Sequence, residues 1–215
     1  MTILFDMDGT LIDSTPAILE SFDAAFKKMN INFSDIEKIP PLIGYPLDIM
    51  FEKLGIHADM AEEFVAAYKA HYKTIAIQKT VLINGAKEAV EIAATFANIG
   101  IVTTKTSIYT KEILKHFGLL KFFKAVIGRE DVKNPKPHPE PVLKALLALN
   151  SDAKNAWIIG DMILDLMAAK EAGINSVGVL CGYGKEEDLM QLTDKIAEDT
   201  LHAVTFIRDN FSKIS

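Results

Sequence analysis

The chain carries a single cysteine, Cys181, in 215 residues. One thiol excludes an internal disulfide and any cysteine-rich metal site. Following the apolar run 177–180, it reads as a small strand-end residue rather than a nucleophile. Arginine is nearly as scarce, with only Arg129 and Arg208. Together with a formal net charge of −6, that scarcity excludes a basic face for nucleic acid. An anionic substrate would have to be held by lysines, backbone N–H groups and a metal. No stretch approaches the roughly 18–20 consecutive apolar residues of a membrane span, so no membrane partner is expected. Residues 1–5 lack the basic region and apolar core of a secretory signal, and the expected compartment is the cytoplasm. Internal repeats and low-complexity segments are also missing.

What is present is an ordinary globular composition, 49% hydrophobic and 24% charged. A chain of this length can bury one good core, or one core and a small accessory unit. The most informative stretch is residues 3–13. Ile3, Leu4 and Phe5 form a short apolar run, expected to be a buried strand. The run ends in Asp6-Met7-Asp8-Gly9-Thr10, where Gly9 lets the backbone turn sharply. In open parallel sheets ligand crevices lie at the carboxyl ends of strands, so Asp6 and Asp8 stand where chemistry is usually done. The plainer reading makes them residues of an Asx-rich turn.

Ser14 and Thr15 followed by Pro16 signal a helix start, with a hydroxyl cap and a proline in the first turn. Ile18, Leu19, Phe22, Ala25, Phe26 and Met29 then share one helical face. After the Pro40-Pro41 break, Leu47, Met50, Phe51 and Leu54 suggest a short helix stopped at Gly55. A longer one carries Met60, Phe64, Tyr68, Tyr72 and Ile75. No strand is expected between 15 and 80. From residue 82 helix and strand alternate: helices at 85–96, 110–117, 140–149 and 164–172, strands at 99–103, 125–128, 156–160 and 176–179. Such alternation means βαβ crossovers and a parallel sheet, to which the strand at 3–5 must also belong. The expected architecture is a doubly wound, Rossmann-like α/β core, 1–14 with 81–215, and an inserted all-helical unit, 15–80. The segment 188–215 is amphipathic and expected to be helical in part.

Three further clusters follow expected strands: Thr103-Thr104-Lys105, then Lys136-Pro137 in a proline-rich loop, then Gly160-Asp161 with Asp165 four residues on. Taken singly, each has another reading. Thr103 could cap a helix, Lys136 could be a solvated turn lysine, and Asp161 and Asp165 could charge a helix start. Lys105 could bind an anionic group or be a solvated lysine. His138 reads as a turn residue. Together the clusters supply the parts of a phosphoryl-transfer site.

The order Asp-x-Asp-Gly-Thr, apolar run then Thr, Lys-Pro and Gly-Asp-x-x-x-Asp resembles the four motifs of the haloacid dehalogenase superfamily, mostly phosphatases. The helical unit after the first motif resembles that superfamily's first type of cap. Residues 41–47, with Phe51 and Leu54-Gly55, are similar to the cap loop of phosphoglycolate-phosphatase-like members. The chain departs from many relatives in carrying Met162 and Thr104 at positions that often hold small polar residues. The resemblance implies a phosphatase of small phosphate monoesters working through an aspartyl-phosphate. In that scheme Asp6 is the nucleophile and Asp8 the general acid and base. Asp6, Asp161 and the Asp8 carbonyl hold Mg²⁺, with Asp165 in or behind that shell. Thr103, Thr104 and Lys136 hold the phosphoryl oxygens, and Gly44 and Tyr45 of the cap read the leaving group. The expected partner is a small phosphorylated metabolite, and the assembly a monomer or homodimer. Alternatives inside the superfamily are a β-phosphoglucomutase-like phosphotransferase, whose cap-loop arginine is replaced here by Leu47 and Asp48, and a nucleotidase or pyrophosphatase. A metal-free dehalogenase would have lost Asp8.

Overall fold

Ile3, Leu4 and Phe5 are wholly buried, which requires a strand covered on both faces. In the computed structural model, which describes residues 1–211, they form β1 (Thr2–Phe5) at the middle of the main sheet. The chain continues through β2 (Ile12–Asp13), α1 (Thr15–Lys28), α2 (Leu47–Lys53), α3 (Ala58–Ile75) and β3 (Val81–Leu82). It then alternates through α4 (Ala86–Phe96), β4 (Asn98–Val102), α5 (Ser107–His116), β5 (Phe123–Ile127), α6 (Glu140–Ala148) and β6 (Ala156–Gly160). The remaining elements are α7 (Ile163–Ala172), β7 (Asn175–Val179), α8 (Glu186–Leu189), β8 (Ile196–Ala197) and α9 (Thr200–Phe211).

The six-stranded sheet has the order β5-β4-β1-β6-β7-β8, and every pairing in it is parallel. Side chains alternate across it as the pleat demands. Ile3 and Phe5 join one apolar cluster with residues of α4, α5 and α9, whereas Leu4 joins another with α6 and α7. The sheet is thus doubly wound, as the alternation of elements requires. From β1 the chain first fills the β4–β5 side, then crosses to β6. That reversal puts a crevice at the carboxyl end of β1.

Helices α1, α2 and α3 share an apolar core of their own, built on Phe22, Phe26, Phe51, Phe64 and Tyr68. Its rings interlock, Phe22 with Phe51 at 4.6 Å and Phe26 with Phe64 at 5.4 Å between centroids. The second pair meets edge to face, the arrangement that aromatic quadrupoles prefer, and the first is tilted. Tyr109 and Tyr183 from the other part of the chain pack against this cluster.

Several local expectations change. The chain enters and leaves the α1–α3 unit through an antiparallel ribbon, Ile12 opposite Leu82 and Asp13 opposite Val81, where no second strand was expected. Two residues per strand carry too little period-2 pattern to be read. The Ser14 hydroxyl does not cap α1. Thr15 N–H is satisfied instead by Asp13 Oδ1 at 2.8 Å. Helix α5 begins at Ser107, with Thr106 rather than Thr103 at its cap position. Segment 188–211 contributes a sixth strand, β8, and the helix α9, which buries Ala203, Val204 and Ile207 against the core. The rest of the expected amphipathic tail, 212–215, lies outside the described residues.

Candidate active site

Backbone geometry at the end of β1 aims the first pair of carboxylates. Asp6 N–H still bonds the sheet, to Ile159 O at 2.9 Å, and the chain then folds tightly, with Leu11 and Ile12 N–H both donating to Met7 O. Gly9 sits at φ +81°, and a Cβ there would meet Asp161 Oδ2 at 2.2 Å. Glycine is therefore required twice, for its conformation and for the approach of the β6 loop. Across the crevice, Asp161 follows β6 and Asp165 lies in the first turn of α7.

One carboxylate oxygen from each of Asp6, Asp161 and Asp165 falls within a 4.8 Å span, and all three residues are buried. Lys136, also buried, reaches in from the β5–α6 loop. Its Nζ donates to Val102 O at 3.1 Å and to Asp165 Oδ1, and lies 2.8 Å from Asp6 Oδ1. The contact with Asp6 is an ion pair whose angle falls short of a directed hydrogen bond, so that buried oxygen keeps unsatisfied acceptor capacity. Asp161 is held by Thr10 Oγ1 at 2.8 Å and Tyr183 N–H at 2.9 Å. Asp165 Oδ2 accepts from Met162 N–H at 3.0 Å, so both of its oxygens are engaged within the protein.

Crowding three buried carboxylates together disfavours their ionisation. Burial, reinforced by the charge of Asp165, pushes the Asp6 carboxyl up to about 7 against the pull of Lys136. Burial, then the charges of Asp6 and Asp165, drives Asp161 well above the usual carboxylate range. Burial alone would lower Lys136, but Asp165 and Asp6 hold its ammonium above the ordinary lysine value. Three buried carboxylates, with one oxygen of each inside a 4.8 Å span, suit a hard divalent cation, which prefers oxygen ligands. The residues present fit such an ion.

Asp8 lies outside that cluster. Its Oδ1 accepts from Ser14 Oγ and its Oδ2 pairs with Lys105 Nζ at 3.0 Å. Lys105 was expected to bind a substrate anion or to be solvated. It is not solvated: its buried ammonium also donates to Tyr72 Oη at 2.8 Å and sits 4.5 Å over that ring. Nothing in the sequence tied Lys105 to Tyr72, 33 positions earlier. Ser14 was visible beside the first motif but carried the signal of a helix cap. Tyr183 could have been suspected from its flanking glycines. A Cβ on Gly182 would meet Asp161 Oδ2 at 2.1 Å and one on Gly184 the Asp161 backbone carbonyl oxygen at 1.9 Å, so this loop must lie directly on Asp161.

Thr103 is buried at the end of β4, its N–H on Ile127 O and its Oγ1 accepting from Lys105 N–H at 3.2 Å. Thr104 directs its hydroxyl to Gly44 O at 2.9 Å, so that hydroxyl joins the two parts of the chain. Gly44, at φ +110°, stands where a Cβ would come within 2.9 Å of Met162 Cγ. Tyr45 lies beside it, with Lys53 Nζ 5.0 Å above its ring. Gly44, Tyr45 and Asp8 all line a cavity of about 530 Å³ between helices α1–α3 and the loops after β4 and β5. His138 Nδ1 accepts from Glu140 N–H within its own turn.

The profile of the family described as haloacid dehalogenase-like hydrolase matches residues 3–179. A phosphoglycolate phosphatase of Colwellia psychrerythraea is 29% identical, covering 93% of both chains. Pyrophosphatase PpaX of Oceanobacillus iheyensis is 32% identical, covering 98% of both. Among solved structures, a haloacid dehalogenase-like family hydrolase from Streptococcus pneumoniae superposes with a TM-score of 0.85 at 28% identity, over 95% of this chain and 97% of that one.

Proposed function

Because this chain belongs to the haloacid dehalogenase-like hydrolases, we propose that it is a Mg²⁺-dependent phosphatase of small phosphate monoesters, acting through an aspartyl-phosphate on Asp6. The observation that carries this reading is the buried Asp6–Asp161–Asp165 cluster braced by Lys136. Asp6 and Asp161 would hold Mg²⁺ with the Asp8 carbonyl, while Asp165, its own oxygens engaged, orients Lys136 and the loop at Met162. When bound, the ion screens the repulsion between an anionic nucleophile and a phosphate monoester.

Asp6 attacks phosphorus and the ester oxygen leaves as Asp8 gives it a proton. Asp8 then takes a proton from the water that cleaves the acyl phosphate. Ser14 and Lys105 fix the Asp8 carboxyl on both oxygens for these transfers. Lys136, Thr103 and the backbone N–H groups near Met7 and Thr104 hold the phosphoryl oxygens, the Thr104 hydroxyl being engaged by Gly44. The segment 15–80 serves as the cap over a core of 1–14 and 81–215, closing the site against water. The partner is a small phosphorylated metabolite in the cytoplasm, not nucleic acid or membrane, and the working unit is a monomer or homodimer. The net charge of −6 supports the exclusion of nucleic acid.

Pyrophosphate stays a second candidate substrate on account of the PpaX relatives. A mutase-type transfer is the weaker alternative. The one arginine lining the cavity, Arg129, gives Nη1 to Val132 O at 3.3 Å, and it comes from the core rather than the cap. Phosphate release should require Mg²⁺, stop with chelator, and fall about a thousandfold or more in Asp6→Asn. Acid-quenched wild-type enzyme should carry phosphate on the peptide containing Asp6. A substitution that leaves the rate near normal would remove Asp6 as nucleophile.

A further inference from the structure

The 530 Å³ cavity opens on Asp8, whereas Asp6, Asp161 and Asp165 do not line it. If Asp8 protonates the leaving oxygen, this cavity receives the leaving group and not the phosphoryl group. Its size falls in the range of roughly 300–1,000 Å³ typical of sites for drug-sized ligands. Two-carbon glycolate would leave most of it filled with water.

Its walls are mainly apolar and aromatic. Ile43, Met50 and Val65 come from the cap, and Tyr68, Tyr72 and Tyr109 form a continuous tyrosine wall. Tyr68 stacks on Tyr72 at 5.5 Å with only 12° between the planes, and Tyr72 meets Tyr109 at 5.6 Å. The ionisable lining runs against a second anion on the substrate. Carboxylates outnumber cations five to three. One of those cations, Lys105, is already paired with Asp8 and bonded to Tyr72.

We infer that the cavity selects phosphate monoesters whose leaving group is uncharged and has a substantial apolar or aromatic body, in preference to phosphoglycolate or bisphosphates. The inference rests on the phosphatase reading. It follows from matching an apolar, acid-rich enclosure to the part of the substrate that Asp8 releases.

An n-alkyl phosphate series, ethyl to octyl, tests it with leaving-group acidity nearly constant. An aryl arm, phenyl against 2-naphthyl phosphate, separates aliphatic from planar bodies. With Mg²⁺ present, kcat/KM should climb by up to roughly fourfold per methylene, at least tenfold from ethyl to hexyl, and phosphoglycolate should rank below hexyl phosphate. Val65→Trp, which fills the cavity, should lower the hexyl-to-ethyl ratio of kcat/KM at least tenfold. Should tryptophan unfold the cap by circular dichroism, the nearly isosteric Val65→Thr should still lower that ratio two- to threefold. A flat or falling series, or phosphoglycolate as the best ester, overturns the inference while leaving the phosphatase reading standing. Failure to hydrolyse any ester, acyl phosphate or pyrophosphate with Mg²⁺ overturns that reading itself.

Discussion

At Lys136, one ammonium stands between Asp6 and Asp165 and also donates to Val102 O. Removing one partner of a buried ion pair costs about 3–5 kcal/mol, because the remaining charge is left in a low dielectric. Lys136→Met in metal-free protein should therefore lower stability by an amount of that order in urea unfolding. Phosphate affinity and turnover should fall with it. Wild-type stability and kinetics in this variant would mean that the lysine does not brace the pocket. Legibility differed sharply among residues of this kind. Asp6, Asp161 and Lys136 could be placed because each follows an apolar strand, and strand ends in a parallel sheet converge at one edge. Lys105 could not, because its partner Tyr72 lies on a helix whose docking against the sheet has no sequence signature.

Helix α1 shows how one residue type supports two local readings. A serine before a helix normally accepts from the second or third N–H, and losing that bond costs about 1 kcal/mol. Here Asp13 satisfies Thr15 N–H, and the Ser14 hydroxyl turns to Asp8. Ser14→Ala should accordingly reduce kcat by roughly ten- to a hundredfold, the scale of general acid–base effects, with Tm little changed. The reverse pattern, lost stability with normal kcat, would restore the capping role. The loop after α1 makes a related contact, since Gly44 O accepts from Thr104 Oγ1 and its φ of +110° strains any residue with a Cβ. Gly44→Ala should weaken that contact with Thr104 and lower kcat/KM several-fold in steady-state assays. An unchanged value would detach this contact from catalysis. The long elements could be read from periodicity over ten or more residues. The two-residue strands β2, β3 and β8 could not, because their existence depends on pairing partners far along the chain.

Across the whole molecule, the doubly wound order brings segments from residues 6, 103, 136 and 161 to one sheet edge. The charge they concentrate is a folding problem. Asp6 titrates at about 7 in the folded chain against 3.8 when unperturbed, raised by burial and by Asp165. Asp161 moves the same way for the same reasons. Between about pH 4 and pH 7 the folded chain thus binds more protons than the unfolded one, and stability falls as pH rises through that window. At about 1.4 kcal/mol per unit, the loss for Asp6 is a few kcal/mol. A divalent cation seated on these carboxylates would displace their protons, so its binding should strengthen as pH rises. Urea midpoints from pH 5 to 8 should decline in chelator and stay nearly level in Mg²⁺, with the stabilisation by Mg²⁺ largest at the alkaline end. A Mg²⁺ increment independent of pH would mean that the ion binds elsewhere, leaving the acidic cluster without the counter-charge that its burial calls for.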